Sequence, residues 1–119
     1  MISIGLIGKV AVIKILHECG FSFTQVTIYN NRVHLDDVYV SPSYRRKGYG
    51  SMMLREVDKI AADRGLKIVG EIVDHNLEMS DENLIKFYTK NGYTVKYKRL
   101  EKIKITLSGE YAVMVDELK

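Results

Sequence analysis

Arg45, Gly48 and Gly50 are spaced R-x-x-G-x-G in a basic loop that joins an apolar, β-rich stretch, Val38-Tyr39-Val40, to a helical pattern. The stretch is stopped at Pro42, and Arg46 and Lys47 add positive charge in a loop, Arg45 to Ser51, that runs directly into the helical pattern. Such a loop offers converging backbone N–H groups and the positive end of the helix dipole, which together cradle a diphosphate. Glycines suit it because a side chain would hold the phosphates away from the amides, and because Gly accepts a positive φ without strain. The spacing is neither the P-loop G-x-x-x-x-G-K-[ST] nor the dinucleotide fingerprint G-x-G-x-x-G. Gly5-Leu6-Ile7-Gly8-Lys9 looks like a P-loop only superficially, since its glycines are too close and Val10 stands where a magnesium-binding hydroxyl is required.

Val40, Pro42, Arg45, Gly48 and Gly50 match V-x-P-x-x-[RQ]-x-x-G-x-[GA], and in this the chain resembles the GCN5-related N-acetyltransferases (GNAT). A second segment, Asn83 to Tyr93, resembles the family's later helix, which carries a Tyr and ends in Lys-x-Gly-Tyr. The resemblance implies an α/β (α+β) fold: a mixed, mostly antiparallel sheet with a V-shaped splay between two parallel strands, flanked by helices. It implies acetyl-CoA as acetyl donor, held by Val38, Tyr39, Val40, Arg45, Arg46, Lys47, Gly48, Tyr49, Gly50 and Ser51. The short N-terminal part and Met79 to Tyr93 also look similar to miniature phage acetyltransferases, including an anti-CRISPR type that modifies a lysine on its target nuclease.

Composition sets the outer bounds. A chain of 119 residues reads as one domain, 1–119, with a single core. Its 46% hydrophobic and 28% charged residues are those of an ordinary globular protein. A net charge of +3 suits an anionic cofactor and falls short of a nucleic-acid-binding composition, so no nucleic-acid partner is expected. Cys19 is the only cysteine, which fits a reducing cytoplasm, and Lys9 and Lys14 interrupt the N-terminal apolar run, so no membrane association is expected.

Along the chain, Met1 to Glu18 reads as strand in preference to a helix face, and Phe21 to Tyr29 and Arg32 to Val40 as a hairpin turning at Asn30-Asn31. Within its second strand Val33 and Leu35 fall out of phase with Val38 and Val40. An extra residue near Asp36-Asp37, a β-bulge, would correct the phase; the competing reading is an irregular edge strand. In the resembling family a bulge here splays the strands so that pantetheine inserts. Met53, Leu54, Val57, Ile60 and Ala61 recur at helical spacing, with Asp58 among the polar residues opposite, until Gly65. Leu66 to Val73 returns to strand. Ser80 or Asp81 caps a helix with Leu84, Ile85 and Tyr88 on one face, ended by Asn91-Gly92, and Ser108-Gly109 suggests a final hairpin.

Acetyl transfer to an amine requires a base for the ammonium and a proton for the departing thiolate. The family pattern places Tyr88 as that acid, against the alternative of a core tyrosine. Base candidates are His34 and Asp36, two apart on one strand face, and Glu71 on the strand after the helix. Glu71 is favoured, because its neighbours Val69, Gly70, Ile72 and Val73 would raise its pKa by desolvation; a solvent-facing Glu is the alternative. The family's usual CoA-holding Asn, seven residues before the Tyr, is Asp81 here, with Asn76 and Asn83 nearby. Cys19 has no paired His, and His17, His34 and His75 lack metal-ligand spacing, so no metal is expected. Lys96 to Lys104 reads as the wet face of a strand.

The expectation is therefore an N-acetyltransferase working by direct attack on acetyl-CoA, its acceptor a primary amine, with a protein lysine favoured because the family's acceptor-shaping helices are missing. Asp36, Asp37 and Asp74 would attract a cation. The alternative is a non-catalytic CoA- or partner-binding module of the same fold, and a weaker one is a small RNA-binding domain. The oligomeric state is left open, a homodimer included.

Overall fold

The computed structural model describes residues 2–71, 81–96, 99–102, 104–105 and 111–112. Strands β1 (Ile2–Ile7), β2 (Val10–His17), β3 (Gly20–Ile28) and β4 (Arg32–Tyr39) form an antiparallel meander. Helix α1 (Tyr49–Arg64) then leads to β5 (Lys67–Glu71), which pairs parallel to β4. Helix α2 (Asp81–Lys90) precedes β6 (Thr94–Lys96) and β7 (Arg99–Lys102). The sheet runs β1-β2-β3-β4-β5-β7-β6, and β4–β5 is its one parallel pair. A separate short pair, β8 (Lys104–Ile105) and β9 (Tyr111–Ala112), stands either side of Ser108-Gly109, which lie outside the described residues.

Period-two alternation in the strands buries Ala11, Ile13 and Ile15 of β2, Val26 of β3, and Val33 and Leu35 of β4 against one face of α1, made by Met53, Leu54, Val57 and Ala61. Full burial of each larger side chain contributes about 1.5–3 kcal/mol. The N-terminal segment is two strands, not one: Gly8, at φ +58°, turns the chain between β1 and β2, which is also why the Gly5 to Lys9 run is no phosphate loop. At the end of α1, Gly65 sits at φ +64° and Leu66 N–H returns to Ala61 O, closing the last turn. Asp58, expected among the polar residues, is only 6% exposed. Ile85, expected with Leu84 and Tyr88 on the inner face of α2, is 39% exposed.

The bulge falls where the phase change placed it. Gln25 pairs with Asp37 and Val26 with Leu35, so Asp36 is the extra residue of β4. The parallel ladder to β5 ends immediately before it, at Leu35↔Gly70. A Cβ on Gly70 would lie 2.9 Å from Leu35 O, so only a glycine lets the two strands approach so closely where the ladder ends. Beyond that point β4 continues as Asp36–Tyr39 outside the ladder with β5, which is the splay expected from the sequence. The expected continuation of β5 through Ile72 and Val73, the proposed cap Ser80, and Asp74 and Asn76 lie outside the described residues.

Candidate active site

The phosphate-type loop is built by two different uses of glycine. Gly48 caps α1 at φ +86°, and a Cβ there would meet nothing within 4 Å, so it serves backbone conformation and leaves open space at the helix start. Gly50 is instead a packing position. Its Cβ would lie 2.8 Å from Phe87 Cζ and 3.0 Å from Cε1, so its bareness lets α2 seat on α1. Met52 N–H is the first amide bonded within the helix, to Gly48 O at 3.0 Å. The amides of Tyr49, Gly50 and Ser51 therefore stand at the open N-terminus without intrahelical partners, the arrangement that binds anions.

Arg45 turns part of its guanidinium inward, Nε donating to Val40 O at 2.9 Å, and thereby ties the loop to the end of β4. Arg46 takes φ +64°, an uncommon conformation for a side-chain-bearing residue. The Ser51 side chain is buried, and its Oγ accepts from Asn91 Nδ2 at 3.1 Å, so it links α1 to the end of α2. Tyr49 packs edge-on against His17, which stacks flat on Tyr44 with centroids 3.9 Å apart. Lys47 Nζ lies 5.6 Å above the Tyr44 ring. Tyr39 joins Phe21 and Phe23 in an aromatic group on the sheet, while Val38 and Val40 pack partly buried against the core.

At the fork itself, Leu35, Asp36, Asp37, Val38, Glu71 and Tyr88 line one recess. Tyr88 is 5% exposed, packed edge-on against Phe87 and Tyr93. Burial pushes its phenol well above the usual tyrosine range, and the nearby Asp37 carboxylate pushes it the same way. Tyr88 thus stays protonated and is a donor at any physiological pH.

His34 and Glu71, from adjacent parallel strands, come together: His34 Nε2 lies 3.7 Å from Glu71 Oε1. On its other side His34 Nδ1 is 2.6 Å from Asp36 Oδ1. The apolar setting expected for Glu71 is not there. Its side chain is 47% exposed although buried Val69 shares its strand face, because Glu71 is the last residue of β5, one past the end of the ladder with β4. Desolvation is therefore no ground for choosing Glu71 as the base. The recess gathers carboxylates at one end of the fork and Arg45, Arg46 and Lys47 line the loop before α1, so the two ends differ in charge. Among the described residues no three His, Cys, Asp or Glu side chains converge as a metal site requires.

Several contributors escape a reading of the chain. Gln25 and Thr27 hold Asp36, His17 and Tyr44 support the loop, and Asn91 and Phe87 dock α2 on α1. Asn91 and Phe87 flank Tyr88 within the helix-ending segment that the motif marks. The others are long-range pairings with no local signal.

Fold and recess together define an acyltransferase framework, and the sequence matches the model of the Acetyltransferase (GNAT) family over residues 6–93. The chain belongs to that family. It is 32% identical over 81 residues to a tRNA(Met) cytidine acetyltransferase of Saccharolobus solfataricus, covering 66% of this chain and 9% of that protein. It is 36% identical over 45 residues to a thialysine N-epsilon-acetyltransferase of Bos taurus, covering 38% and 26%. The chain thus spans about a tenth to a quarter of the length of these curated relatives. The fold is shared with the anti-CRISPR protein AcrVA5, at TM-score 0.65 and 24% identity over 76% of this chain and 96% of that one. It is also shared with the PaiA N-acetyltransferase of Thermoplasma acidophilum, solved with coenzyme A, at TM-score 0.62 and 21% identity over 78% and 58%.

Proposed function

We propose that this chain is an acetyl-CoA-dependent N-acetyltransferase acting on a primary amine in a cytoplasmic setting, with a protein lysine as the favoured acceptor. One observation carries the reading: the β4–β5 fork opens at Leu35↔Gly70 onto a recess lined by the buried Tyr88 and by Glu71, whose carboxylate lies 3.7 Å from His34 Nε2. The open amides of Tyr49, Gly50 and Ser51, with Arg46 and Lys47 alongside, would hold the diphosphate. The backbone of Asp36–Tyr39, outside the ladder with β5, would offer its N–H and C=O groups to the amides of pantetheine. The His34–Glu71 pair would take the proton from the incoming ammonium.

Tyr88 would donate to the sulfur as the C–S bond breaks. With its phenol held above its usual range, full transfer to a thiolate of ordinary basicity is uphill. Its contribution is therefore a hydrogen bond that tightens as charge develops on sulfur, the proton following as the nitrogen loses its own.

Asp36, Asp37 and Glu71 favour a cationic acceptor and disfavour a phosphate chain, so an ammonium suits the recess better than a nucleobase on RNA. The test is an acetylation screen with labelled acetyl-CoA against small amines, lysine peptides, RNA and lysate. Label on lysine nitrogen with CoA release supports the reading. Label on RNA would replace the acceptor class, and binding of acetyl-CoA without turnover would leave the binding module.

A further inference from the structure

Asp36, the extra residue of the bulge, divides its carboxylate between two strands. Oδ2 accepts from Thr27 Oγ1 at 2.6 Å and from Gln25 Nε2 at 3.3 Å, both on β3. Oδ1 faces His34 Nδ1 at 2.6 Å. An ionised carboxylate only accepts, so Nδ1 carries a proton, and in the neutral ring Nε2 is then the bare nitrogen. That nitrogen points to Glu71 Oε1 at 3.7 Å, too far for a hydrogen bond between the two. Two acceptors so spaced can both be reached by one ammonium nitrogen at about 2.8 Å from each. With the opposite tautomer, Nε2 would carry a hydrogen toward the amine and His34 could not take its proton.

Resting on the acetyltransferase reading above, we propose that Asp36 is the positioning residue that fixes the tautomer of His34 and makes His34 Nε2 the general base, with Glu71 holding the ammonium. Nε2 takes one proton from the ammonium, giving an imidazolium paired with Asp36 and a neutral amine. The amine's electron pair forms the new N–C bond, the C–S bond breaks, and its pair leaves on sulfur. Sulfur receives its proton from Tyr88, which is restored by the second proton shed from nitrogen, and the imidazolium returns its proton to water. Two apart on β4, His34 and Asp36 share one strand face, and Gln25 and Thr27 of β3 reach the same carboxylate and hold it against His34.

The test pairs ring spectroscopy with kinetics. In protein labelled with 15N-histidine, with His34 assigned through His34→Gln, neutral His34 should show a protonated Nδ1 and a bare Nε2. Asp36→Asn, whose amide can donate to Nδ1, should reverse the two. Asp36→Asn should then lower kcat at least as far as Asp36→Ala, by roughly a hundredfold or more, with acetyl-CoA affinity unchanged. His34→Gln should cost more than Glu71→Gln. A role confined to holding β3 to β4 predicts the reverse order at position 36, since Asn still accepts from Thr27 and would keep most activity. Turnover with Nε2 protonated in the wild type, or near-wild-type kcat in Asp36→Asn, would overturn this assignment alone. No turnover with any amine in the wild type would overturn it together with the acetyltransferase reading.

Discussion

Gly50→Ala should destabilise the fold, although Ala is the better helix former, because the added methyl points at Phe87. Its ideal position is 2.8 Å from Cζ and 3.0 Å from Cε1, with Val40 Cγ2 at 3.6 Å closing one escape route. Ordinary carbon contacts need about 3.5–4.0 Å, so the ring or α1 must move by somewhat under 1 Å. Overpacking of this kind costs about 1–3 kcal/mol, while Ala in place of Gly returns at most about 1 kcal/mol and less at a helix terminus. The net is a loss of about 1–2 kcal/mol, or roughly 4–8 °C in Tm at this size. Phe87 is edge-on to Tyr88 with centroids 5.0 Å apart, so the strain should reach the proposed acid and lower kcat as well. Thermal and urea unfolding measure the stability term, and Phe87→Leu supplies the control. In that background the methyl has room, and Gly50→Ala should become neutral or stabilising. Equal cost in both backgrounds, or a gain in the wild type, would refute the packing account and return Gly50 to a purely phosphate-binding role.

The remaining predictions concern the two ends of the fork. Gly48→Asp should abolish acetyl-CoA binding in calorimetry while the protein stays folded, since it sets a carboxylate in the open space at the helix N-terminus; unchanged affinity would remove the loop from the diphosphate site. Tyr88→Phe should lower kcat by about a hundredfold with little change in acetyl-CoA affinity, and wild-type turnover would make Tyr88 a packing residue. The raised phenol also has a linkage consequence. Above about pH 10 the unfolded chain ionises Tyr88 and the folded one does not, so stability is full below that pH and falls as pH rises, by up to about 1.4 kcal/mol per unit. Urea unfolding at stepped pH should show this slope reduced in Tyr88→Phe; equal slopes would mean that the phenol titrates normally.

Much of this architecture was legible because it is written in local signals. β-prone residues either side of Asn30-Asn31 marked β3 and β4, helical spacing and Gly65 marked α1, and a phase slip pointed to a bulge near Asp36-Asp37, which the pairing assigns to Asp36. The loop was legible from Pro42, Arg45, Gly48 and Gly50, although the two glycines do different work. What failed were inferences of burial from neighbours. Glu71 follows apolar residues in sequence yet is exposed, because it stands at the end of β5, past the last pair of the ladder with β4. Ile85 erred in the same direction and Asp58 in the opposite one, since the width of a helix's buried stripe depends on what packs against it. The Gln25 and Thr27 hold on Asp36, and the His17 stack on Tyr44, join residues 9 to 27 positions apart and leave no periodic trace.

The central claim is turnover, and one measurement addresses it directly: release of free CoA from acetyl-CoA by the purified chain presented with lysine peptides, with mass spectrometry locating the acetyl group. The structure predicts CoA release matched one for one by acetyl on a lysine side-chain nitrogen, and loss of both in Tyr88→Phe. Tight binding of acetyl-CoA with no CoA released above the acceptor-free rate, for any amine offered, would contradict the account and leave a GNAT fold that holds its ligand without chemistry.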